Sequence, residues 1–419
     1  MTFSIQERVD CMKTKRDFPL ALVSKKAEAS IRRGHPWVYY DEITDTFGEI
    51  ENGCIADVVS AKGTYLGSGL WSEKSKIRVR LLSSNANDRF DAAFFTRRLR
   101  YAIDCRHSIM GDDFAACRLV FGEADGLPGL TVDRFGDVCV TQVLSYGMDK
   151  RRDLLYGALH EILAGYGVTL RGIFERNDVA LRELEGLAQY KGWYRPETVA
   201  NPDTTTRITE NGVQYAVDFE NGQKTGFFLD QKYNRLAVAR MARGRRVLDC
   251  FTHTGSFALN AAMGGAAHVT AVDVSQTAID MARENAVRNG LVGQMDFLCA
   301  DVFDLLPELA ARGDKPYDFI ILDPPAFTKS RKTVHSAERG YREINYRAMK
   351  LLPRGGYLAT CSCSHFMRHD LFERMLRDAA GDAGVQLRQL EVRQQCCDHP
   401  VLWNVPETDY LKFYIFQII

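Results

Sequence analysis

The sequence predicts an α/β protein. Its C-terminal half reads as a doubly wound, mainly parallel sheet, preceded by a central α+β region and a small N-terminal β-barrel. Three observations predict this. From about residue 207 onward, short apolar runs alternate with segments of helical spacing, the order that builds a parallel sheet with helices on both faces. Three of those runs end in or just before an acid: Asp249, Asp273 and Asp301. Before residue 90 the apolar runs are short and are punctuated by Gly63, Gly67 and Gly69, which reads as turn-rich β-structure.

Residues 1–17 are polar and read as a frayed tail. Strands are expected at 20–23, 53–59, 65–70 and 77–82. A short helix is expected at 26–33, followed by Gly34-His35-Pro36-Trp37-Val38. Helical spacing covers 91–110. A strand through 118–121 then enters a Gly/Pro turn that ends at Gly129. A hairpin of 130–135 and 138–144, an amphipathic helix at 152–165 and a strand at 170–175 follow. The polar stretch 190–207, with Pro196 and Pro202, is expected to be the main linker. Domains are therefore drawn at 18–90, 91–200 and 201–419. In the last of these, strands are expected at 246–250, 268–273, 295–299, 319–323, 357–361 and 410–419. Helices are expected at 257–263, 276–289, 302–310, 344–352 and 369–383.

Composition narrows the class. A chain of 419 residues with 46% hydrophobic content can bury ordinary globular cores. No apolar run is long enough to span a bilayer, and the N-terminus lacks the apolar core of a secretory signal. The 11 cysteines are scattered without zinc-type spacing. Together these features point to reduced thiols in the cytoplasm, with no membrane and no metal. Net charge is zero, 54 basic against 54 acidic residues, which argues against a purely electrostatic nucleic-acid binder. Lys74, Lys76, Arg78, Arg80, Arg89, Arg97, Arg98 and Arg100 nevertheless form a locally basic stretch opposed only by Asp88 and Asp91. Such a face can hold phosphate. The plainer reading is the solvated surface of a strand and a helix.

The most informative pairing is Asp323-Pro324-Pro325-Ala326-Phe327 with Cys361-Ser362-Cys363-Ser364. Each follows an apolar run that reads as a buried strand. Ligands of open α/β sheets bind at the carboxyl ends of the strands, so the two motifs are expected to face one pocket. One supplies a carboxylate and a stiff, carbonyl-rich turn; the other supplies a thiol. That pairing suits methyl transfer to a pyrimidine carbon. Upstream, Val247 to Phe257 reads as strand, loop and helix. Gly255 there permits close backbone approach to a ligand, and the helix start turns amide N–H groups toward it. A G-x-G-x-x-G fingerprint is absent, so a dinucleotide site is not indicated. Asp273 is suitably placed for ribose hydroxyls, and Asp301 for an adenine amino group. The plainer reading of each acid is a strand end or a helix cap.

These residues resemble the class I S-adenosylmethionine-dependent methyltransferases over about 203–419. With Gly222-Gln223-Lys224-Thr225-Gly226-Phe227-Phe228-Leu229-Asp230-Gln231 and His35-Pro36-Trp37-Val38, the resemblance narrows. It becomes one to the three-domain bacterial 23S ribosomal RNA cytosine-5 methyltransferases, over nearly the whole chain after residue 17. The resemblance implies an N-terminal PUA RNA-binding barrel, a central α+β domain and a Rossmann-like catalytic domain. It implies S-adenosylmethionine as cofactor and ribosomal RNA as partner, and it allows a homodimer. It implies that Thr225, Phe228, Asp230 and Gln231 cap the cofactor pocket. Asp249, Phe251, Thr252, Gly255, Asp273 and Asp301 would hold the cofactor, and Asp323 would lie at its junction with substrate. Pro324, Pro325 and Phe327 would face the target base.

Cytosine C5 is a poor nucleophile, and a thiolate added at C6 makes it electron-rich, so the chemistry calls for a cysteine. Cys363 matches the family's cysteine between two serines. Ala326 stands where two-cysteine relatives carry their second thiol. The plainer reading of Cys363 is a small buried hydrophobe. Cys361 would point to the same side of an extended chain, so spacing does not choose between the two. Lys329, Arg331, Lys332, His335, Arg339 and Arg342 are expected in a loop that closes over RNA. Two other readings stand beside this one. The first is methylation of a base nitrogen without a cysteine. The second is an RNA-binding assembly protein that keeps the cofactor fold without turnover.

Overall fold

In the computed structural model, residues 16–313, 315–328 and 330–419 are described, apart from the side chain of Arg331. The chain folds as two units. Among the described residues, one holds 16–206 together with 217–227 and 397–408; the other holds 207–216, 409–419 and those of 228–396.

In the second unit the apolar runs become the strands of one sheet. These are β1 (Arg246–Cys250), β2 (His268–Asp273), β3 (Met295–Cys299), β4 (Phe319–Leu322), β5 (Tyr357–Ser362), β6 (Leu387–Arg393) and β7 (Lys412–Ile418). Their order is β3-β2-β1-β4-β5-β7-β6. The first five run parallel, and β7 enters antiparallel between β5 and β6. The strand order reverses between β1 and β4, the switch point at which open sheets leave a crevice beyond their carboxyl ends. Those strands are apolar on both faces because helices cover both: Val247, Leu248, Ile320, Ile321, Leu358 and Ala359 are almost wholly buried. The helices are α1 (Lys232–Met241), α2 (Ser256–Met263), α3 (Gln276–Arg288), α4 (Val302–Arg312), α5 (Val334–Leu351) and α6 (His369–Ala383). Helices α4, α5 and α6 pack one core on β1, β4 and β5 through Leu305, Leu306, Tyr341, Ile344, Phe372 and Leu376.

Around this sheet, three differences from the sequence expectation stand out. The basic stretch after Phe327 is not one long loop. From Val334 it is helix α5, so His335, Arg339 and Arg342 stand on a helix. The reason is visible in the spacing of Ala337, Tyr341, Ile344, Asn345 and Ala348, which gives α5 a buried stripe. Lys329 lies outside the described residues, as does the side chain of Arg331. The end of the expected linker is a hairpin, Thr205–Glu210 with Val213–Asp218. Its Glu210 pairs with Arg235 of α1 at 2.7 Å, with both side chains buried. Removing one partner of such a pair would strand a buried charge. The third difference is strand β6, which has too little apolar character to be seen: four of its seven residues are exposed.

The first unit carries two sheets. One orders Trp37–Tyr39, Ile77–Ser83, Tyr65–Trp71, Ile55–Ser60, Leu20–Val23 and Ile43–Phe47. The other orders Lys191–Trp193, Gly172–Arg176, Val138–Val143, Leu130–Phe135 and Ala116–Phe121. Helices Lys25–Arg32 and Ala92–Met110 begin where expected because Ser24 and Asp91 cap them, accepting from Ala27 N and Phe94 N. The end of the expected tail is not frayed: Arg16 donates to Asp57 at 2.8 Å. Residues 1–15 lie outside the described residues. Much of the basic stretch is structural. Arg78 is buried and donates to Ser72 O (2.6 Å), Arg80 pairs with Glu185 (2.8 Å), and Arg98 donates to Leu82 O (3.2 Å).

Candidate active site

The site is built at the carboxyl ends of β1, β2, β4 and β5. Asp249, the fourth residue of β1, is fully buried. Its Oδ2 accepts from Thr252 Oγ1 (2.6 Å) and Ala258 N (2.9 Å), which pins the loop after β1 and the start of α2. Its Oδ1 is buried with no hydrogen-bond partner. Burial, with Asp323 and Asp273 adding negative charge, pushes the Asp249 carboxyl up to about 7. The loop itself is strained: Phe251 and His253, both with side chains, sit at φ 65° and 50°. Gly255 sits at φ 79°, and packing gives it a further reason beside the expected one. A Cβ there would meet Ala282 Cβ of α3 at 3.0 Å, so the glycine serves tight packing of loop on helix.

Asp273 ends β2. Its Oδ2 accepts from His253 N (2.9 Å) and its Oδ1 from Ser275 N (2.9 Å), which ties the first loop to the second strand end. Asp301 is exposed and caps α4, its Oδ1 accepting from Phe303 N at 2.8 Å. Phe228 sets its ring edge-on to that of His253 at 5.5 Å. Asp230 is buried and accepts from the Tyr410 hydroxyl at 2.6 Å. Thr225 is placed in the first unit, where its hydroxyl donates to Asp133 at 2.6 Å.

The chemical residues meet at the ends of β4 and β5. The Cys361 thiol donates to Asp323 Oδ1 at 2.8 Å, and Gln231 Nε2 donates to the same oxygen at 3.1 Å. Asn234 orients Gln231 by donating to its Oε1 at 2.6 Å. Burial pushes Asp323 up to about 6, despite the lowering effect of the Cys361 bond, and Asp230 adds to the rise. Burial, reinforced by the Asp323 carboxylate, pushes the Cys361 thiol well above its ordinary value. Cys363 lies one residue past β5 and is half-buried. The serines on either side of it are held by one hydroxyl: Tyr341 Oη lies 3.0 Å from Ser362 Oγ and 2.9 Å from Ser364 Oγ. Phe327 packs on the Tyr341 ring at 4.6 Å; Pro324 is buried and Pro325 exposed. The sequence reading missed Asn234, Tyr341, Tyr410 and Lys412 as neighbours of this site. Tyr341 was open to discovery through the apolar stripe of α5. Nothing local marks the others. Among the described residues, no three His, Cys, Asp or Glu side chains are grouped to hold a metal ion.

The raised carboxyl of Asp249 has a measurable consequence. A carboxyl held above its unfolded value binds its proton more tightly when folded. Its contribution to stability is present below about pH 4 and is lost as pH rises through about 7. Asp249→Asn mimics the protonated acid. The unfolding free energy of the cofactor-free wild type should therefore fall relative to that of the variant between pH 4 and 7, by on the order of a few kcal/mol, and its thermal midpoint with it. Parallel melting curves across that range would contradict the assignment.

Comparison with known proteins places this geometry. A family model described as S-adenosylmethionine-dependent methyltransferase matches residues 188–400, and one described as a PUA-like domain matches 22–84. The chain is 41% identical over 405 residues to the ribosomal RNA large subunit methyltransferase I of Salmonella arizonae, covering 96% of this chain and 98% of that protein. It is 40% identical over 404 residues to the protein of the same name from Klebsiella pneumoniae, covering 96% and 99%. In fold it is similar to a putative methyltransferase from Streptococcus mutans (TM-score 0.79, 22% identity, 95% of this chain and 99% of that one). It is equally similar to a putative methyltransferase solved with SAH (TM-score 0.80, 23% identity, 95% and 99%). By sequence over nearly its full length, this chain belongs to the S-adenosylmethionine-dependent methyltransferases, in the family of the ribosomal RNA large subunit methyltransferases I.

Proposed function

We propose that this methyltransferase acts on the RNA of the large ribosomal subunit and forms 5-methylcytosine through a covalent adduct between Cys363 and cytosine C6. The RNA class follows the names of its relatives and the PUA-like match. The observation that carries the cysteine reading is the contrast between the two thiols. Cys361 is buried and bonded to a carboxylate, which keeps its proton on and makes it a poor nucleophile. Cys363, two residues on, lies just past the strand end and is only partly buried, as a thiol that attacks a base must be.

The residues after β1 and β2 suit the cofactor. The orphaned Oδ1 of Asp249 is a buried acceptor able to take a bond from the ammonium of the methionine part. Asp273, half-buried at the β2 end, retains acceptor capacity for ribose hydroxyls. Asp301, Phe228, Asp230 and Gln231 are proposed to complete the pocket, and Phe251, Thr252 and Gly255 to shape its loop. Thr225 is proposed only as part of the 222–231 segment that carries the family resemblance. When bound, the cofactor supplies a methyl group on a cationic sulfur.

The chain's own residues do the rest. The Cys363 thiolate adds to C6 and forms an S–C6 bond, and the displaced electron pair makes C5 nucleophilic. Asp323, which keeps its proton to about pH 6, gives it to cytosine N3 as negative charge develops there. C5 gains the methyl, and a base removes the C5 proton. N3 returns its proton to the Asp323 carboxylate as the S–C6 bond breaks, restoring the C5–C6 double bond and the Cys363 thiolate. One proton is exchanged for one methyl. Phe327, seated on Tyr341, and the Pro324-Pro325 turn offer a face and carbonyls to the extruded base. The test is methylation of protein-free ribosomal RNA from cells lacking the enzyme, followed by digestion and mass spectrometry. 5-Methylcytosine is expected; a methylated base nitrogen would reject the reading.

A further inference from the structure

Lys412 is the first residue of β7 and pairs with Ser362 across the β5–β7 ladder. It is 2% exposed, which is rare for a lysine. Its ammonium donates to the carbonyls of Ser364 (2.8 Å) and Tyr410 (2.7 Å). Ser364 is the residue that follows Cys363. Among the described residues no carboxylate lies within ion-pair distance of Lys412, so the charge is buried on dipoles alone. A buried cation without a counter-charge is costly, and an anion placed beside it offsets that cost. Burial accordingly pushes the lysine down to about 8. Of the groups that favour its charge, Cys363 comes first, ahead of Asp409 and Cys361. Cys361 of β5 and Tyr341 of α5 also lie close enough to the thiol for Cys363 to raise both of them, and Asp409, before β7, favours the charge of Lys412 itself.

We propose that Lys412 is the positioning residue that makes Cys363 reactive: its ammonium fixes the backbone just after the cysteine and supplies the positive charge against which the thiolate forms. The inference rests on the reading of Cys363 as nucleophile. The covalent step is unchanged by it. The Cys363 proton leaves to solvent, the thiolate adds to C6, and Lys412 keeps its three protons throughout. Lys412 and Tyr341 together clamp the Ser362-Cys363-Ser364 segment from two sides, one through a main-chain carbonyl and one through both serine hydroxyls.

The test reads the thiol directly, without RNA or cofactor. Iodoacetamide modification of Cys363 is followed by peptide mass spectrometry from pH 5 to 10 in wild type, Lys412→Met and Lys412→Arg. Wild type should show an inflection below the ordinary thiol value of about 8.5. Lys412→Met should react roughly tenfold more slowly at pH 7, and Lys412→Arg should recover most of that loss. A wild-type inflection at or above about 8.5 would overturn the proposal even if the methionine variant failed to fold. So would a folded Lys412→Met protein with the wild-type profile. Failure of the nucleophile reading is seen separately, as 5-methylcytosine formation that survives Cys363→Ala.

Discussion

Cys363→Ala should abolish formation of 5-methylcytosine, with a fall in rate of roughly a thousandfold or more, while leaving the fold and cofactor binding intact. The residue is half-buried, so the loss of one sulfur leaves little cavity. Cys361→Ala should behave differently. It removes a thiol that is 1% exposed and bonded to Asp323, and its expected cost is in stability and in the placement of the carboxylate. Single-turnover methylation of RNA by the two variants, with cofactor binding measured alongside, separates these outcomes. Equal loss in both would mean that the pair acts as one unit. Survival of activity in Cys363→Ala would move the chemistry to a base nitrogen.

Asp323→Asn should reduce kcat/KM by about 10²–10⁴-fold, the usual range for a positioned acid. It should also change the pH profile. Burial holds Asp323 protonated to about pH 6, and the proposed role needs that proton on the free enzyme. Activity of wild type should therefore have a limb that falls as pH rises past about 6. The asparagine variant should lack that limb and keep only the rising limb set by the thiol. A variant that is slow but retains the falling limb would assign the proton to another group.

Much of this arrangement was legible in the sequence because the sheet is buried on both faces. Runs such as Ile320-Ile321-Leu322 and Leu358-Ala359-Thr360 have few alternatives to a central strand, and they deliver Asp323 and the two cysteines to one edge. Asp249 and Asp273 were legible as acids at strand ends, and each is bonded into the first loop. Strand β6 was not legible, because its residues are mostly polar and exposed. Helix α5 was under-read because a basic outer face hid the stripe formed by Ala337, Tyr341 and Ile344. The roles of Cys361 and Lys412 were invisible for a different reason. They depend on a residue 38 positions away and on an antiparallel strand that arrives 48 positions after Ser364. Local spacing holds no record of such pairings. The packing of Gly255 against Ala282 was not legible either, because a glycine in sequence does not say which neighbours require it.

The central claim is a bond between one sulfur and one carbon, and it can be isolated. RNA carrying 5-fluorocytosine cannot lose the C5 substituent as a proton, so the adduct formed after methyl transfer should persist. Wild-type protein incubated with such RNA and S-adenosylmethionine should give a denaturant-resistant complex. Digestion and mass spectrometry should place the nucleotide on Cys363. A complex mapped to Cys361, or no covalent complex from RNA that is otherwise methylated, would contradict the account.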